Sequence, residues 1–154
     1  MHLNYPRDLF FECIKCGLCC RDTETHRRKI ILTSKDIENI VHSAHRSPKE
    51  FCRATHAAPK PFSFVVKKIS GSCPFLDGNS MCTIYESRPL ICRCYPFTID
   101  YKGKDRITFT FSSKECPGLG RGRRLGAAFF GKLAQEITRN FGSIGELRSN
   151  SRYQ

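Results

Sequence analysis

The chain has 154 residues, the size of one ordinary domain, and its formal net charge is +12 because 26 Lys and Arg outnumber 14 Asp and Glu. Ten cysteines are present, yet no signal-peptide pattern opens the chain and no apolar run is long enough to span a membrane. We therefore expect a cytoplasmic protein whose thiols serve metal or redox chemistry rather than disulfides. The basic charge favours an acidic protein or a nucleic acid as partner.

The first cysteine group lies within residues 10–22 and has the spacing C-x2-C-x2-C-C, with Cys13, Cys16, Cys19 and Cys20. Two residues between thiolates let both sulfurs face one ion, and Gly17 allows a positive φ in the turn. A third cysteine at the same spacing is typical of an iron–sulfur run. Cys19 and Cys20 are adjacent, so a disulfide between them would be strained, and their side chains can serve two different centres.

Short elements are predicted after this group. Residues 23–29 are polar and expected to be exposed, and residues 30–32 form a short strand or an apolar anchor. Thr33 and Asp36 have capping-box spacing, which predicts a helix at about 34–44. Ser47 and the following Pro, Lys and Glu predict a second helix that ends near residue 55 and carries Cys52 as a buried apolar residue.

The second cysteine group begins after a strand predicted at residues 62–69. Asp77-Gly78-Asn79 forms a tight turn that folds Cys73 and Cys82 back toward each other, so that they can present two sulfurs to one metal. Helical turns over residues 85–91, broken near Pro89, then deliver Cys92 at their end.

The last third of the chain alternates in the pattern of a hairpin, with strands at 97–101 and 106–111 joined by residues 102–105. A helix follows at about 123–141, and its apolar stripe is expected to pack on the hairpin. We predict an α+β fold: a small, irregular, cysteine-rich metal-binding domain with short helices, a small antiparallel sheet and a C-terminal amphipathic helix. Residues 1–142 form this single domain, and residues 143–154 form a flexible tail.

Five motifs together resemble one known family, and they span about two thirds of the chain. They are Cys13-x2-Cys16-x2-Cys19-Cys20, Cys73-Pro-Phe-Leu, Cys82-x-Ile-Tyr-x2-Arg88-Pro89-x2-Cys92-Arg93, Tyr95-Pro96-Phe97 and Cys116-Pro-Gly-x-Gly-x-Gly. The chain resembles the YkgJ-like cysteine-cluster family, a bacterial and archaeal domain thought to chelate zinc or iron. The resemblance implies eight metal-ligand cysteines: Cys13, Cys16, Cys19, Cys20, Cys73, Cys82, Cys92 and Cys116. Cys52 and Cys94 lie outside the pattern, and Cys94 is either a spare thiol or a substitute ligand.

Eight sulfurs divide naturally into two four-sulfur centres, and both zinc and 4Fe–4S clusters take four sulfurs. The compact C-x2-C-x2-C loop and the remote pairs Cys73-Pro74 and Cys116-Pro117 favour 4Fe–4S clusters, with zinc as the alternative. Arg88 and Arg93 flank Cys92, where they can donate hydrogen bonds to sulfur or stabilise thiolates. For Arg88 the alternative is pairing with a nearby acid or capping of backbone carbonyls.

Some side chains near the cysteines allow further interpretations. Tyr85, Tyr95 and Phe97 are expected to shield the centre from water. The histidines at positions 26, 42, 45 and 56 have no ligand spacing with the cysteines. The glycines of Gly118-x-Gly120-x-Gly122, with arginines beside them, can bind an anion or simply permit a tight metal turn.

The sequence favours an iron–sulfur protein that transfers electrons to a redox protein partner or senses redox state. One alternative is a zinc-stabilised basic binding module. Another is an accessory or subunit of a protein-lysine N-methylase-like system, because a similar cysteine-rich region is found in flagellin lysine N-methylases. No Ser-His-Asp or paired-carboxylate arrangement is visible, which disfavours a hydrolase and leaves enzymatic activity open.

Overall fold

The computed structural model describes residues 2–25, 27–102, 106–111, 116–141 and 147–148. Within these residues it contains short helices and small sheets, which confirms the predicted α+β class. The α-helices are α1 (Ser34–Ala44), α2 (Pro48–Phe51), α3 (Leu90–Cys94) and α4 (Ala127–Phe141). The strands are β1 (His2–Asn4), β2 (Leu9–Phe11), β3 (Ile31–Leu32), β4 (Cys52–Ala54), β5 (Phe64–Val66), β6 (Phe97–Lys102), β7 (Arg106–Phe111), β8 (Arg123–Leu125) and β9 (Leu147–Arg148).

The strands of the described residues form three small sheets. The largest has the order β1-β7-β6-β9, in which β1 is parallel to β7 and the other pairs are antiparallel. The second is the antiparallel pair β2-β8, and the third is the antiparallel sheet β3-β5-β4. The predicted hairpin is confirmed as β6 and β7, although residues 103–105 of its turn lie outside the described residues.

The amphipathic helix α4 packs on this hairpin, as its apolar stripe predicts. The ring of Phe130 lies 5.2 Å from that of Phe97 on β6 and 5.2 Å from that of Phe109 on β7. The ring of Phe141 lies 5.3 Å from that of Tyr101. These pairs of buried rings hold α4 against the hairpin, because the burial of large aromatic side chains contributes strongly to core stability.

Helix α1 confirms the predicted capping box, with mutual hydrogen bonds between Thr33 and Asp36. The second predicted helix is wrong in length: α2 ends at Phe51, and Cys52 begins β4 instead. Cys52 has an extended backbone, with φ −141° and ψ 166°, and pairs with Val66 on β5, so strand pairing with a remote segment overrides the local helix signal here. The prediction that Cys52 is buried is confirmed.

The start of the last helix differs from the prediction at residue 123. Residues 123–125 form β8, which pairs with β2, and α4 begins only at Ala127. Strands β1 and β2 near the N-terminus were not predicted. They are too short to give a periodic signal, and tertiary pairing alone creates them. In the predicted tail, Leu147 and Arg148 pair with β6, and the other residues from 142 to 154 lie outside the described residues.

Candidate metal centre

The first cysteine group is shaped by Gly17, whose φ of 73° confirms the predicted positive φ. A 3₁₀ turn over Leu18–Cys20 follows, closed by a hydrogen bond from the Cys20 amide to the Gly17 carbonyl at 2.9 Å. A Cβ atom at position 17 would lie 3.1 Å from the Ser80 carbonyl oxygen. Glycine is therefore needed here both for the backbone conformation and for the close approach of the second cysteine group.

The second cysteine group is held by its own turn. The Asp77 carboxylate accepts hydrogen bonds from the amides of Asn79 at 2.9 Å and Met81 at 2.8 Å, which confirms the predicted tight turn. An isolated bridge between Leu76 and Cys82 closes the loop. The Cys73 amide donates to the Cys20 carbonyl at 2.7 Å, so this backbone bond joins the second cysteine group directly to the first.

The predicted helical turns and their break near Pro89 are confirmed, but the second turn, α3, runs on to Cys94, so Cys92 lies inside it rather than at its end. A 3₁₀ turn covers Tyr85–Ser87, and Pro89 separates it from α3 because proline interrupts helical hydrogen bonding. The buried carboxylate of Asp36 on α1 accepts a hydrogen bond from the Leu90 amide at 2.8 Å. This bond fixes the first turn of α3 and with it the position of Cys92.

Cys116 is brought to the first group by a close backbone approach. The Glu12 amide donates to the Gly118 carbonyl at 3.1 Å, and the Gly120 amide donates to the Phe10 carbonyl at 2.8 Å. A Cβ atom on Gly118 would lie 2.3 Å from the Glu12 carbonyl oxygen. The glycines of this loop thus fit the tight-turn interpretation, since only glycine permits such contact between the two backbones.

All eight cysteines of the predicted ligand set line one cavity of about 530 Å³. Cys52 and Cys94, which the family pattern leaves out, are absent from its lining, and none of the described lining residues is a histidine. Arg88, Arg93, Tyr85 and Tyr95 also line the cavity, but Phe97 does not, because its ring is packed in the core against Phe130. The structure describes all ten cysteines as free thiols.

The two predicted arginines are held in different ways. Arg88 donates from Nε to the Tyr85 carbonyl at 2.8 Å, and its guanidinium lies 3.7 Å from the Tyr85 ring centroid. Arg93 pairs with Glu136 on α4, with Nε and Oε2 3.3 Å apart. Arg88 thus caps a backbone carbonyl and also brings a positive charge to the cavity lining. The positive charge of Arg93 is partly neutralised by Glu136.

A third arginine, Arg28, belongs to the polar segment 23–29, which the sequence predicts to be exposed. The prediction is wrong for Arg28, because only 2% of this residue is exposed. One guanidinium nitrogen donates to the Cys19 carbonyl at 2.6 Å, another donates to the Ile91 carbonyl at 3.4 Å, and the group lies 4.5 Å from the Tyr95 ring centroid. Arg28 therefore connects the first cysteine loop to α3. Nothing in the sequence separates Arg28 from its exposed neighbours, so only the tertiary structure identifies it.

The thiols influence one another strongly. Cys19 and Cys20 share a hydrogen bond with a sulfur–sulfur distance of 3.8 Å. This bond lowers the pKa of Cys19 to about 6 and raises the pKa of Cys20. Burial raises the pKa of Cys73 to about 11 and that of Cys92 to about 12, because a buried thiolate loses its hydration. Without a cation in the cavity, these two buried thiols are therefore neutral at pH 7.

The electrostatic neighbours of the thiols overlap, because the charge of Cys19 raises the pKa of Cys73, Cys82, Cys92 and Cys116 alike. Burial is the largest cause that raises the pKa of Cys116, and the negative charges of Cys16, Cys19 and Cys13 raise it further. The pKa of Cys20 is raised mainly by its hydrogen bond with Cys19 and by burial, and the charges of Cys19, Cys92 and Cys73 raise it further. Cys19 is common to both sets of charges, so it lies near thiols of the first and of the second cysteine group.

The cavity fits a metal group by its donors and its size. Its sulfur-rich lining suits zinc and iron–sulfur clusters, both of which bind thiolates, and its volume is many times the ~30 Å³ of one water molecule. Among the described residues, however, no three Cys, His, Asp or Glu side chains are gathered closely enough to hold an ion as they stand. Binding therefore requires the side chains to converge and the thiols to lose their protons.

No helix in the described part of the chain has the length and apolar character to cross a membrane. The CxxCxxCC family profile, described as "Putative zinc- or iron-chelating domain", matches residues 12–117. The chain is 30% identical over 119 residues to "Uncharacterized protein MJ0661" of Methanocaldococcus jannaschii, covering 75% of this chain and 61% of that protein, less than two thirds of its length. No solved structure matches the chain. The match covers the cavity-lining cysteines from Cys13 to Cys116, and the chain belongs to the CxxCxxCC family of metal-binding cysteine-cluster domains.

Proposed function

We propose that the eight cavity cysteines bind iron–sulfur clusters of the 4Fe–4S type and that the protein transfers electrons or senses redox state in a reducing cytoplasm. The observation that carries the proposal is the convergence of all eight cysteines on one cavity whose described lining has no histidine. The compact C-x2-C-x2-C loop and the remote Cys-Pro pairs favour clusters over zinc. When bound, such clusters supply reversible one-electron chemistry.

The backbone contacts of the cysteine loops favour two four-sulfur centres. Glu12, next to Cys13, approaches the loop of Cys116, which favours one centre with Cys13, Cys16 and Cys116. The Cys73 amide donates to the Cys20 carbonyl, which favours a second centre with Cys20, Cys73 and Cys92. Cys19 and Cys82 complete the two sets. Each centre then combines cysteines of the first loop with cysteines that are remote in sequence, so metal binding also fastens the loops of the fold together.

The chain's own residues prepare this site for anionic sulfur. The positive charges of Arg28 and Arg88 lower the pKa of Cys19, acting after its hydrogen bond with Cys20. Both cations therefore favour thiolate over thiol, as basic groups beside reactive cysteines do. Tyr85 and Tyr95 line the same cavity and reduce its contact with water.

Zinc is the second candidate, because the family description names zinc and iron equally. A zinc centre with four thiolates would be structural and redox-inactive, and the protein would then act as a basic binding module. The same eight cysteines would serve, so the two functions differ only in the metal.

Anaerobic purification followed by an absorption spectrum and by iron, sulfide and zinc analysis of one sample tests the proposal. We expect broad visible absorption with iron and sulfide, and Cys16→Ser and Cys92→Ser are each expected to lose at least half of the metal. Cys52→Ser is the matched control, because Cys52 is buried but lies outside the cavity. Zinc without visible absorption would replace the cluster proposal with the zinc module, and full metal content in both ligand variants would refute the ligand set.

A further inference from the structure

A second cavity, of about 570 Å³, lies beside the sheet β3-β5-β4 and is lined largely by cations. Its basic lining residues are Arg27, Arg28, Lys29, Arg53, Lys67 and Lys68. Among the described lining residues the acidic one is Asp22, which Lys68 neutralises at 2.5 Å. We call this cavity the basic groove, and its charge is strongly positive.

Three of these cations are available to an external anion. Lys67 donates to the Lys49 carbonyl at 2.6 Å, and Arg28 is turned inward to the Cys19 carbonyl. Arg27, Lys29 and Arg53 are exposed, and none of their side chains forms a hydrogen bond or an ion pair with the part of the chain that the structure describes. The positive charge of the groove is thus not explained by pairing within the described chain.

The basic groove is separated from the cysteine cavity by a thin wall. Ile30 and Val66 line both cavities, and both are buried. Arg28 lines the groove while its guanidinium binds the carbonyl of Cys19, a residue of the cysteine cavity. A partner seated in the groove would therefore be separated from the cysteine cavity by a single layer of buried side chains.

We propose that the basic groove is the docking face for an acidic protein that exchanges electrons with the group in the cysteine cavity; the electron exchange, but not the docking, rests on the proposed function. One electron passes between that group and the partner's redox cofactor, so that one is oxidised as the other is reduced and no bond forms or breaks. Complementary charge steers such partners together, and electron-transfer interfaces are small enough to be governed by it.

The groove favours an acidic protein over a nucleic acid. None of its described lining residues is aromatic. Single-stranded nucleic acids are held by stacking of bases on aromatic side chains in addition to backbone charge, and this groove offers only the charge. The groove also has an apolar lining that is at least partly exposed, formed by Val65, Ala57 and Ala58, and this combination with the cations suits the mixed surface of a protein partner.

The test compares two double charge reversals on the metal-loaded protein. Arg27→Glu/Arg53→Glu changes the groove, and Lys132→Glu/Arg139→Glu makes the same change in net charge on exposed positions of α4. Binding of a fluorescein-labelled Glu/Asp peptide and of a single-stranded oligonucleotide is measured by anisotropy at low salt. We expect the groove variant to bind the peptide about tenfold more weakly and the control about twofold more weakly.

The electron exchange has its own readout. The protein is reduced with dithionite, freed of excess dithionite and oxidised with ferricyanide, an anionic one-electron acceptor, and the return of the oxidised cluster's visible absorption is timed. The groove variant is expected to react several-fold more slowly than the control variant, because the anion is no longer attracted to the wall of the cysteine cavity.

Equal weakening of peptide binding in both variants would overturn the docking face, and selective loss of oligonucleotide binding would assign the groove to nucleic acid instead. Iron, sulfide and zinc are measured on the same samples. If the protein carries iron–sulfur clusters but the groove variant binds the peptide as well as the control variant does, the docking proposal is overturned and the proposed function stands. A selective peptide effect in a protein that carries only zinc would overturn the electron-transfer function and leave the docking of an acidic protein supported.

Discussion

Substitution of Asp36 by Asn tests whether one buried carboxylate holds the cysteine-bearing helix α3 in place. Asp36 is 2% exposed. It accepts hydrogen bonds from the amide and hydroxyl of Thr33, each at 2.9 Å, and from the Leu90 amide at 2.8 Å. Asparagine has nearly the same volume but replaces one acceptor oxygen with an NH₂ group, which must face a buried donor on one side or the other.

The expected loss follows from these bonds. If the amide faces Leu90, a buried N–H is left unsatisfied at a cost of about 1–3 kcal/mol. If it faces Thr33, the two bonds that Thr33 donates to the carboxylate are lost, which costs about 1–2 kcal/mol, although the bond from the residue 36 amide to the Thr33 hydroxyl remains. The surviving hydrogen bonds also weaken, because they are no longer made to a charged carboxylate. We therefore expect the free energy of unfolding to fall by about 2–3 kcal/mol in all. For a chain of this size, the apparent melting temperature should fall by about 5–10 °C.

The matched control is Glu38→Gln on the same helix. Glu38 forms an exposed ion pair with Lys35 at 2.9 Å, and exposed pairs contribute little, so the melting temperature should change by about 2 °C or less. Thermal scans of the metal-loaded proteins give the shift, and the rate of metal loss to a chelator should rise only for Asp36→Asn, because Cys92 lies on α3. Equal behaviour of the two variants would refute the assigned role of Asp36.

Two further predictions concern the loop at Gly118 and the protons of the thiols. Gly118→Ala places a Cβ 2.3 Å from the Glu12 carbonyl oxygen and should lower the free energy of unfolding by about 1–3 kcal/mol. In the control Gly131→Ala on α4, the new Cβ meets nothing within 4 Å, so the free energy of unfolding should stay the same or rise by up to about 1 kcal/mol. Denaturation midpoints compare the two variants, and equal effects would contradict the close approach of the two backbones. Because the pKa values of Cys73 and Cys92 are raised to about 11 and 12, both thiols carry protons at neutral pH and must release them to bind zinc. Zinc affinity should therefore rise from pH 6 to pH 8, and calorimetry in buffers of different ionisation enthalpy counts the protons released. A zinc affinity that does not change with pH would contradict these pKa directions.

The local elements were predictable where sequence signals are local. The capping box of Thr33 and Asp36 fixed the start of α1, and the alternation of residues 97–111 gave the hairpin, since each signal depends on neighbours within a few residues. The same reasoning failed at Cys52 and at residues 123–125. Both segments are drawn into strands by partners that are remote in sequence, Val66 and the strand Leu9–Phe11.

The sequence by itself determined the chemistry of this protein: the number of thiols, their C-x2-C-x2-C-C spacing and the family to which the chain belongs. The tertiary structure decided that those eight thiols line one cavity and that Arg28 is buried beside Cys19. It also decided that a basic groove lies behind the wall of Ile30 and Val66. The physical reason is that ligand spacing is a property of one short segment, whereas burial, charge clustering and shared walls arise only when segments far apart in the chain pack together.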